Sequence, residues 1–217
     1  MPKATRQPRS PLTRQRIVAA AIELADVSGI DAVTMRSLAA HLGFEVMSLY
    51  NHVANKDDLL DGMVDVVAAE IEEPPLDMPW RPAVRMIAMS VHDALLQHRW
   101  ASPLWAARWP GPNRWRHMDT LLRILGTAGL AADRTDLGFH AITLHIQGFT
   151  QQQLDYAASN FPEGEWYARF QAEVNEDEHP NVYAHMRHHR RSEPVHDVFA
   201  FVLDLILDGL ERATESN

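Results

Sequence analysis

The chain contains no cysteine, which excludes a disulfide framework, a thiolate metal site, a cysteine nucleophile and redox sensing through thiols. No extended run is apolar enough to span a membrane. The opening MPKATRQPRSP carries charge without the apolar stretch of a secretory signal, so the expected location is the cytoplasm, with no membrane partner. Glycine is sparse, 10 of 217 residues, and none falls in a phosphate-cradling loop, a cofactor fingerprint or a nucleophile elbow; Gly126 and Gly148 stand alone. Strand-like alternation is also missing. What is present is 46% apolar content, enough for a helical core in one large or two modest domains.

Net charge is −9, but it is unevenly spread. Residues 1–56 hold seven Lys or Arg against four Asp or Glu, and the acid lies in the remainder. A basic head is drawn to phosphates. An acidic body resists indiscriminate wrapping of nucleic acid or is simply soluble, and both readings stand.

The segment 34–51, TMRSLAAHLGFEVMSLYN, reads as two short helices broken by one glycine. Leu38, Ala39 and Leu42 form one stripe, Gly43 permits a tight turn, and Val46, Leu49, Tyr50 and Val53 resume the spacing. Glu45, Ser48, Asn51 and His52 interrupt the second stripe, where a helix presented to the major groove needs polar side chains. Two such helices cannot bury a stripe alone. Residues 14–28 supply a third, with Ile17, Ala20, Ala21, Leu24 and Ala25 inward and Gly29 as the stop. Ser10 and Pro11 read as its cap and first turn. Residues 1–12 are a flexible basic arm with Lys3, Arg6 and Arg9, suited to the minor groove or to an ordinary tail.

Asn55 can cap a further helix, with Asp57 and Asp58 in its first turn and a stripe from Leu59 and Leu60 through Met63, Val64 and Val67 to Ile71, ended by Pro74, Pro75 and Pro79. Helices are then expected over 80–100, 104–109, 114–127 and about 133–158, with shorter ones over 165–173 and 182–190 and a last one over about 194–213. The last carries FAFVLDLILDGLERA, apolar over more of its circumference than one neighbour covers. Either two copies meet there as a four-helix bundle or a monomer packs the surfaces internally. The expected dimer contacts are Ile142, Phe149, Phe199, Leu203, Ile206, Leu207 and Leu210.

The run from Thr13 to Leu60, above all the glycine turn, LYNHV and NKDDLL, resembles the TetR family of transcriptional regulators, and LDLILDGLE near the carboxyl end resembles the tetracycline-repressor branch. The resemblance implies an all-α homodimer, with a helix-turn-helix DNA-binding domain over 13–56 and a larger effector-binding and dimerisation domain over 57–217. The implied partners are double-stranded operator DNA and a small-molecule effector whose binding shifts the heads through the helix after Asn55. The implied function is a repressor released from a palindromic operator, with no cofactor. By position, the DNA-binding residues are Arg36, Val46, Met47, Ser48, Tyr50, Asn51, His52 and Lys56. Val46 and Met47 would sit at the exposed start of the recognition helix, facing thymine methyls, with Ser48 on a base or phosphate. Tyr50, His52 and Lys56 would meet phosphates, although Tyr50 also reads as packing. The branch typically opens its recognition helix with glutamine and proline where this chain has Val46 and Met47, so the operator should differ. Glu72 stands where the branch places a drug-binding histidine, so tetracycline binding has no direct support.

An effector pocket is expected among the helices after Trp80, Ser102, Arg114 and Asp133. Met89, Trp105, Trp109, Leu121 and Phe149 are wall candidates, and His92, His145 and Gln152 polar contacts, although core packing serves the tryptophans equally well. Among twelve histidines, His185 and His189 share a helical face and His179 and His188 lie nearby, but Arg187, Arg190 and Arg191 disfavour a cation, and no metal site is assigned. No catalytic constellation appears. The alternatives to a ligand-responsive regulator are an effector-independent architectural DNA-binding protein and, behind it, an all-helical enzyme.

Overall fold

The computed structural model describes residues 11–158, 163–191 and 198–215, and every regular element among them is helical. In chain order these are α1 (Arg14–Ser28), α2 (Met35–Leu42), α3 (Val46–Tyr50), α4 (Lys56–Ala68), α5 (Trp80–Gln97), α6 (Ser102–Trp105), α7 (Pro112–Gly126), α8 (Ala132–Ala158), α9 (Glu163–Glu173), α10 (Pro180–Arg191) and α11 (Val198–Glu215), with 3-10 turns at Ile30–Ala32 and Arg99–Ala101.

Local chemistry accounts for the first boundaries. The Thr13 hydroxyl accepts from Arg16 N–H at 3.2 Å, so Thr13 caps α1; Pro11 precedes the helix, and Ser10 lies outside the described residues. Thr34 and Ser37 form a reciprocal capping box at α2, each backbone N–H donating to the other hydroxyl at 3.0 Å. Gly43 takes φ +72°, a left-handed conformation that suits glycine, and Phe44 N–H closes back on Ala39 C=O at 3.0 Å. Asn55 Oδ1 caps α4 by accepting from Asp58 N–H at 2.8 Å. Together α1, α2 and α3 make the three-helix module expected of residues 14–51.

In the body the helix expected over 104–109 shrinks to Ser102–Trp105. The chain must turn before the Pro110, Gly111, Pro112 break, and a side chain of α7 takes up the freed carbonyls. The last helix is described from Val198; Pro194, its expected start, lies outside the described residues, as does the arm over residues 1–10.

Buried side chains form one continuous cluster rather than two cores. Ile17 and Ala21 of α1, Leu38 of α2 and Leu49 of α3 close the head, and Leu59, Met63 and Val67 of α4 carry the cluster on to Val84, Ile87 and Leu95 of α5 and to Leu121 and Leu125 of α7. Each of the larger aliphatic side chains among them contributes about 1.5–3 kcal/mol by leaving water. The far end is α8 against α11, which carry the residues expected at a dimer contact. Ile142, Phe199, Leu203 and Leu207 are 0–1% exposed within the chain's own core, while Phe149, Ile206 and Leu210 are half-buried against it. Helical phase is the reason: with 3.6 residues per turn, 199, 203 and 207 point inward and 201 and 205 outward. The exposed apolar side chains of these helices are Leu137, Leu144 and Tyr156 of α8 and Val198, Phe201 and Leu205 of α11. On a third side, Arg81 bonds Asp208 and Glu211, and Arg85 bonds Asp204, pinning α5 to α11.

Candidate nucleic-acid interface and its link to the body

The short helix α3 lies on the outside of the head because its inner side is spent on Leu49, with Val53 just beyond, both buried. Its outward surface differs in one respect from the sequence reading. Val46 is half-buried against the core, so the exposed start of the helix is Met47 alone, at 73%. Ser48 is half-buried; Tyr50, Asn51 and His52 are exposed, as are Arg36 near the start of α2 and Lys56 at the first position of α4. All eight residues therefore fall on one small module, six of them exposed.

Holding that surface in shape is a pair that the motif reading missed. Arg14 grips Asp58 with both terminal nitrogens, each 2.7 Å from a carboxylate oxygen, and also reaches the Asp58 carbonyl at 3.1 Å and the His52 carbonyl at 3.4 Å. Ala54 N–H donates to the same carboxylate at 2.8 Å. The turn between α3 and α4 is thus tied to α1. The Arg14 hydrogen bond is the main reason the Asp58 carboxyl sits below the usual carboxylate range.

On its other side α4 faces the body with Asp57, Asp61 and Asp65, four residues apart and therefore in one row. Arg108 serves the first two: Nε donates to Asp61 at 2.6 Å, one terminal nitrogen to the Asp57 carboxylate at 2.8 Å and the other to the Asp57 carbonyl at 2.8 Å. Asp65 caps a different helix, accepting from the backbone N–H groups of Asn113 and Arg114 at the start of α7, each at 3.0 Å, and from the Asn113 amide at 3.0 Å. The approach is so close that a Cβ on Gly111 would lie 2.4 Å from the Asp65 carboxyl carbon. Arg114 fixes the segment between these anchors. Its guanidinium is buried, donates to the carbonyls of Arg108 and Trp105, and lies over the Trp105 ring at 5.1 Å. Desolvation lowers its pKa.

A second tie uses His98, also buried. Nδ1 is 2.9 Å from Asp26 of α1 and Nε2 is 3.1 Å from Glu70, just past α4, while Trp100 Nε1–H donates to the same Asp26 oxygen at 2.6 Å. Both helices that frame the head are therefore hydrogen-bonded to the body.

The expected effector contacts divide. His92, His145 and Phe149 do come together, but around Phe199: His92 stacks on that ring at 4.0 Å, His145 stacks at 4.7 Å, and Phe149 meets it edge-on. His92 Nδ1 is 2.7 Å from the Thr150 hydroxyl, which itself donates to the Ile146 carbonyl, so this nitrogen carries the proton. His145 Nε2 donates to the Phe199 carbonyl at 2.9 Å. Leu121 is enclosed in the core, Trp105 lies beneath Arg114, Gln152 is exposed, and Trp109 stands 76% exposed, edge-on to Trp115. Met89 borders a separate open groove of about 310 Å³, with Glu70, Glu72, Met86 and Asp93. Among the described residues no three His, Asp or Glu are gathered as a metal site; the side chains of His188 and His189 lie outside them.

Residues 17–63 match the model described as bacterial regulatory proteins, tetR family, and residues 73–214 the model described as tetracyclin repressor-like, C-terminal domain. The chain belongs to the TetR family. The HTH-type transcriptional repressor DrrR1 of Streptomyces coeruleorubidus is 32% identical, over 96% of this chain and 81% of its own. The class G tetracycline repressor of Vibrio anguillarum is 27% identical, over 93% and 94%. Among solved structures, Streptomyces coelicolor ActR in complex with actinorhodin has 28% identity and a TM-score of 0.80, covering 94% of this chain and 99% of that one.

Within the TetR frame two departures stand out. The recognition helix opens on a half-buried valine and an exposed methionine, which offers apolar contact and no hydrogen bond at that point. In the body, Glu72 lies at the lip of a small cavity beside Ile71, Ile87, His117 and Thr120, its backbone N–H held by the Ser90 hydroxyl at 2.9 Å. His117, which sequence reading passed over, is driven down to a pKa of about 4, first by burial and then by the nearby Arg114 charge. It is therefore a neutral imidazole at neutral pH. The clue available in sequence was its place three residues after Arg114 on an amphipathic helix, and that says nothing of desolvation.

Proposed function

We propose that this TetR-family protein is a homodimeric repressor that binds a palindromic operator and leaves it when a small molecule occupies the body. The observation that carries the reading is the wiring of the module that bears α3: its exposed residues sit on a head whose two framing helices, α1 and α4, are both hydrogen-bonded to the body. A ligand that favours a different arrangement of the body then changes DNA affinity by the coupling free energy. Arg36, Met47, Ser48, Tyr50, Asn51, His52 and Lys56 make the DNA surface, with Val46 mainly supporting it. Met47 reads a thymine methyl, and Lys56 neutralises a phosphate. The domains divide at about residue 56, with the body from 57 onward carrying effector and dimer contacts, and the protein acts in the cytoplasm. Repression as the sign of control follows the likeness to DrrR1, a protein described as a repressor.

Two copies pair through the outward face of α8 and α11, that is Leu137, Leu144, Phe201 and Leu205. A two-fold pairing places one α3 on each half of a palindrome. The effector enters the body near His117 and Glu72, where a neutral imidazole and a carboxylate border a small cavity with Ile71, Ile87 and Arg116.

The test is selection of bound duplexes from a random library by the full chain, with the salt dependence measured on the winner. A palindromic winner is expected. Uniform recovery without enrichment would instead favour an architectural DNA-binding protein and overturn the reading.

A further inference from the structure

The body holds the head by a group that touches no part of the expected DNA surface. Arg108 lies on the short segment between α6 and α7, and every one of its three guanidinium nitrogens is committed to α4: Asp57 carboxylate, Asp57 carbonyl and Asp61 carboxylate, at 2.6–2.8 Å. Its side chain is 18% exposed, so solvent competes weakly for these bonds. The segment cannot drift, because Arg114, buried, donates to the carbonyl of Arg108 itself. The far end of this chain of contacts is Lys56, immediately before Asp57. On the opposite side of the same turn Asp58 is held by Arg14 of α1. The first turn of α4 is therefore gripped by one arginine from the head and one from the body, at neighbouring aspartates.

The geometry points to Arg108 as a positioning residue for operator binding, acting through Asp57 and Asp61 to fix the first turn of α4, and Lys56 with it, relative to the body. This rests on the reading of the head as a DNA-binding module. Freed of the latch, the turn has to be ordered at the moment of binding, and affinity falls. Because Arg108 replaces no phosphate counterion, the loss carries no change in the number of ions released, whereas loss of Lys56 lowers the slope of log affinity against log salt by about 0.9. That difference separates positioning from direct contact.

The experiment measures the full chain on the duplex recovered by selection, at several salt concentrations, for wild type, Arg108→Gln, the pair Asp57→Asn with Asp61→Asn, and all three changes together, with thermal unfolding followed on each. Arg108→Gln is expected to bind about three- to tenfold more weakly with the wild-type salt slope. The carboxylate pair tests the route. If Arg108 acts through these aspartates, its replacement costs little further once they are gone, and the cycle shows a coupling of that same three- to tenfold. Independent effects, an unchanged affinity in Arg108→Gln or a salt slope lowered as in Lys56→Ala overturns the latch while leaving the regulator reading intact. Asp57→Asn alone serves if the triple variant unfolds, because Asp57 is 75% exposed and its loss removes one arm of the latch; affinity equal to wild type then counts against it. Failure of wild type to enrich any duplex removes the regulator reading itself.

Discussion

The head and the far end of the body use similar residues in opposite ways. In the head a five-residue helix buries Leu49 and turns Met47 and Tyr50 outward, with Asn51 and His52 exposed just beyond it. Where α5 packs on α8 and α11 a polar residue turns inward: His92 of α5 is buried on Phe199, while Phe201 and Leu205 of α11 stand in solvent. On the proposed reading, the exposed polar groups of the tightly capped module meet a charged partner, and the exposed apolar groups on the long helices meet a second copy.

The contrast breaks most sharply at Phe199 and Phe201, two residues apart on one helix. Phe199→Ala removes a side chain 1% exposed and should cost about 3–5 kcal/mol of unfolding free energy in denaturant titration. Phe201→Glu, at a 59% exposed position, should leave helix content intact but convert dimer to monomer in sedimentation. A dimer that persists in Phe201→Glu rejects this face as the interface. In the head the same logic runs with smaller stakes. Leu49→Ala should cost about 2–4 kcal/mol and abolish operator binding. Met47→Ala should change stability by less than about 0.5 kcal/mol while relaxing base preference at one position of the selected site. Equal preference profiles for wild type and Met47→Ala would remove methionine from the reading surface.

The same contrast explains what could be read before the fold was known. The head's signals are local: Thr34 with Ser37, Gly43, and Asn55 with Asp58 each act within a few residues, and chain spacing carries them. Leu49 and Val53 inside follow from period alone, whereas Tyr50, which shares their stripe, stands exposed. The long helices offer no such rule, because FAFVLDLILDGL is apolar on two sides and only the packing of α5 and α8 chooses which side is core; that choice put Phe199 and Leu203 inside. The latch was illegible for a related reason. Asp57 and Asp58 read as ordinary first-turn acids, yet they face different arginines, 51 and 44 residues away in the chain. Likewise Glu70 and Asp26 meet only through His98. Partners of that kind are set by tertiary geometry.

A pH-dependent effect sharpens the comparison at a half-buried histidine. His117 has a folded-state pKa of about 4, lowered by burial and by Arg114, against about 6.5 in an unfolded chain. Between these values the unfolded chain binds a proton that the folded chain refuses, so stability rises with pH across the interval. The contribution is fully present above about pH 6.5 and is lost as the pH falls toward 4. Wild type should therefore lose roughly 1–3 kcal/mol more than His117→Gln between pH 7.5 and pH 5, measured by urea unfolding of both at each pH. Parallel curves for His117→Gln would mean that the body opens this site to water.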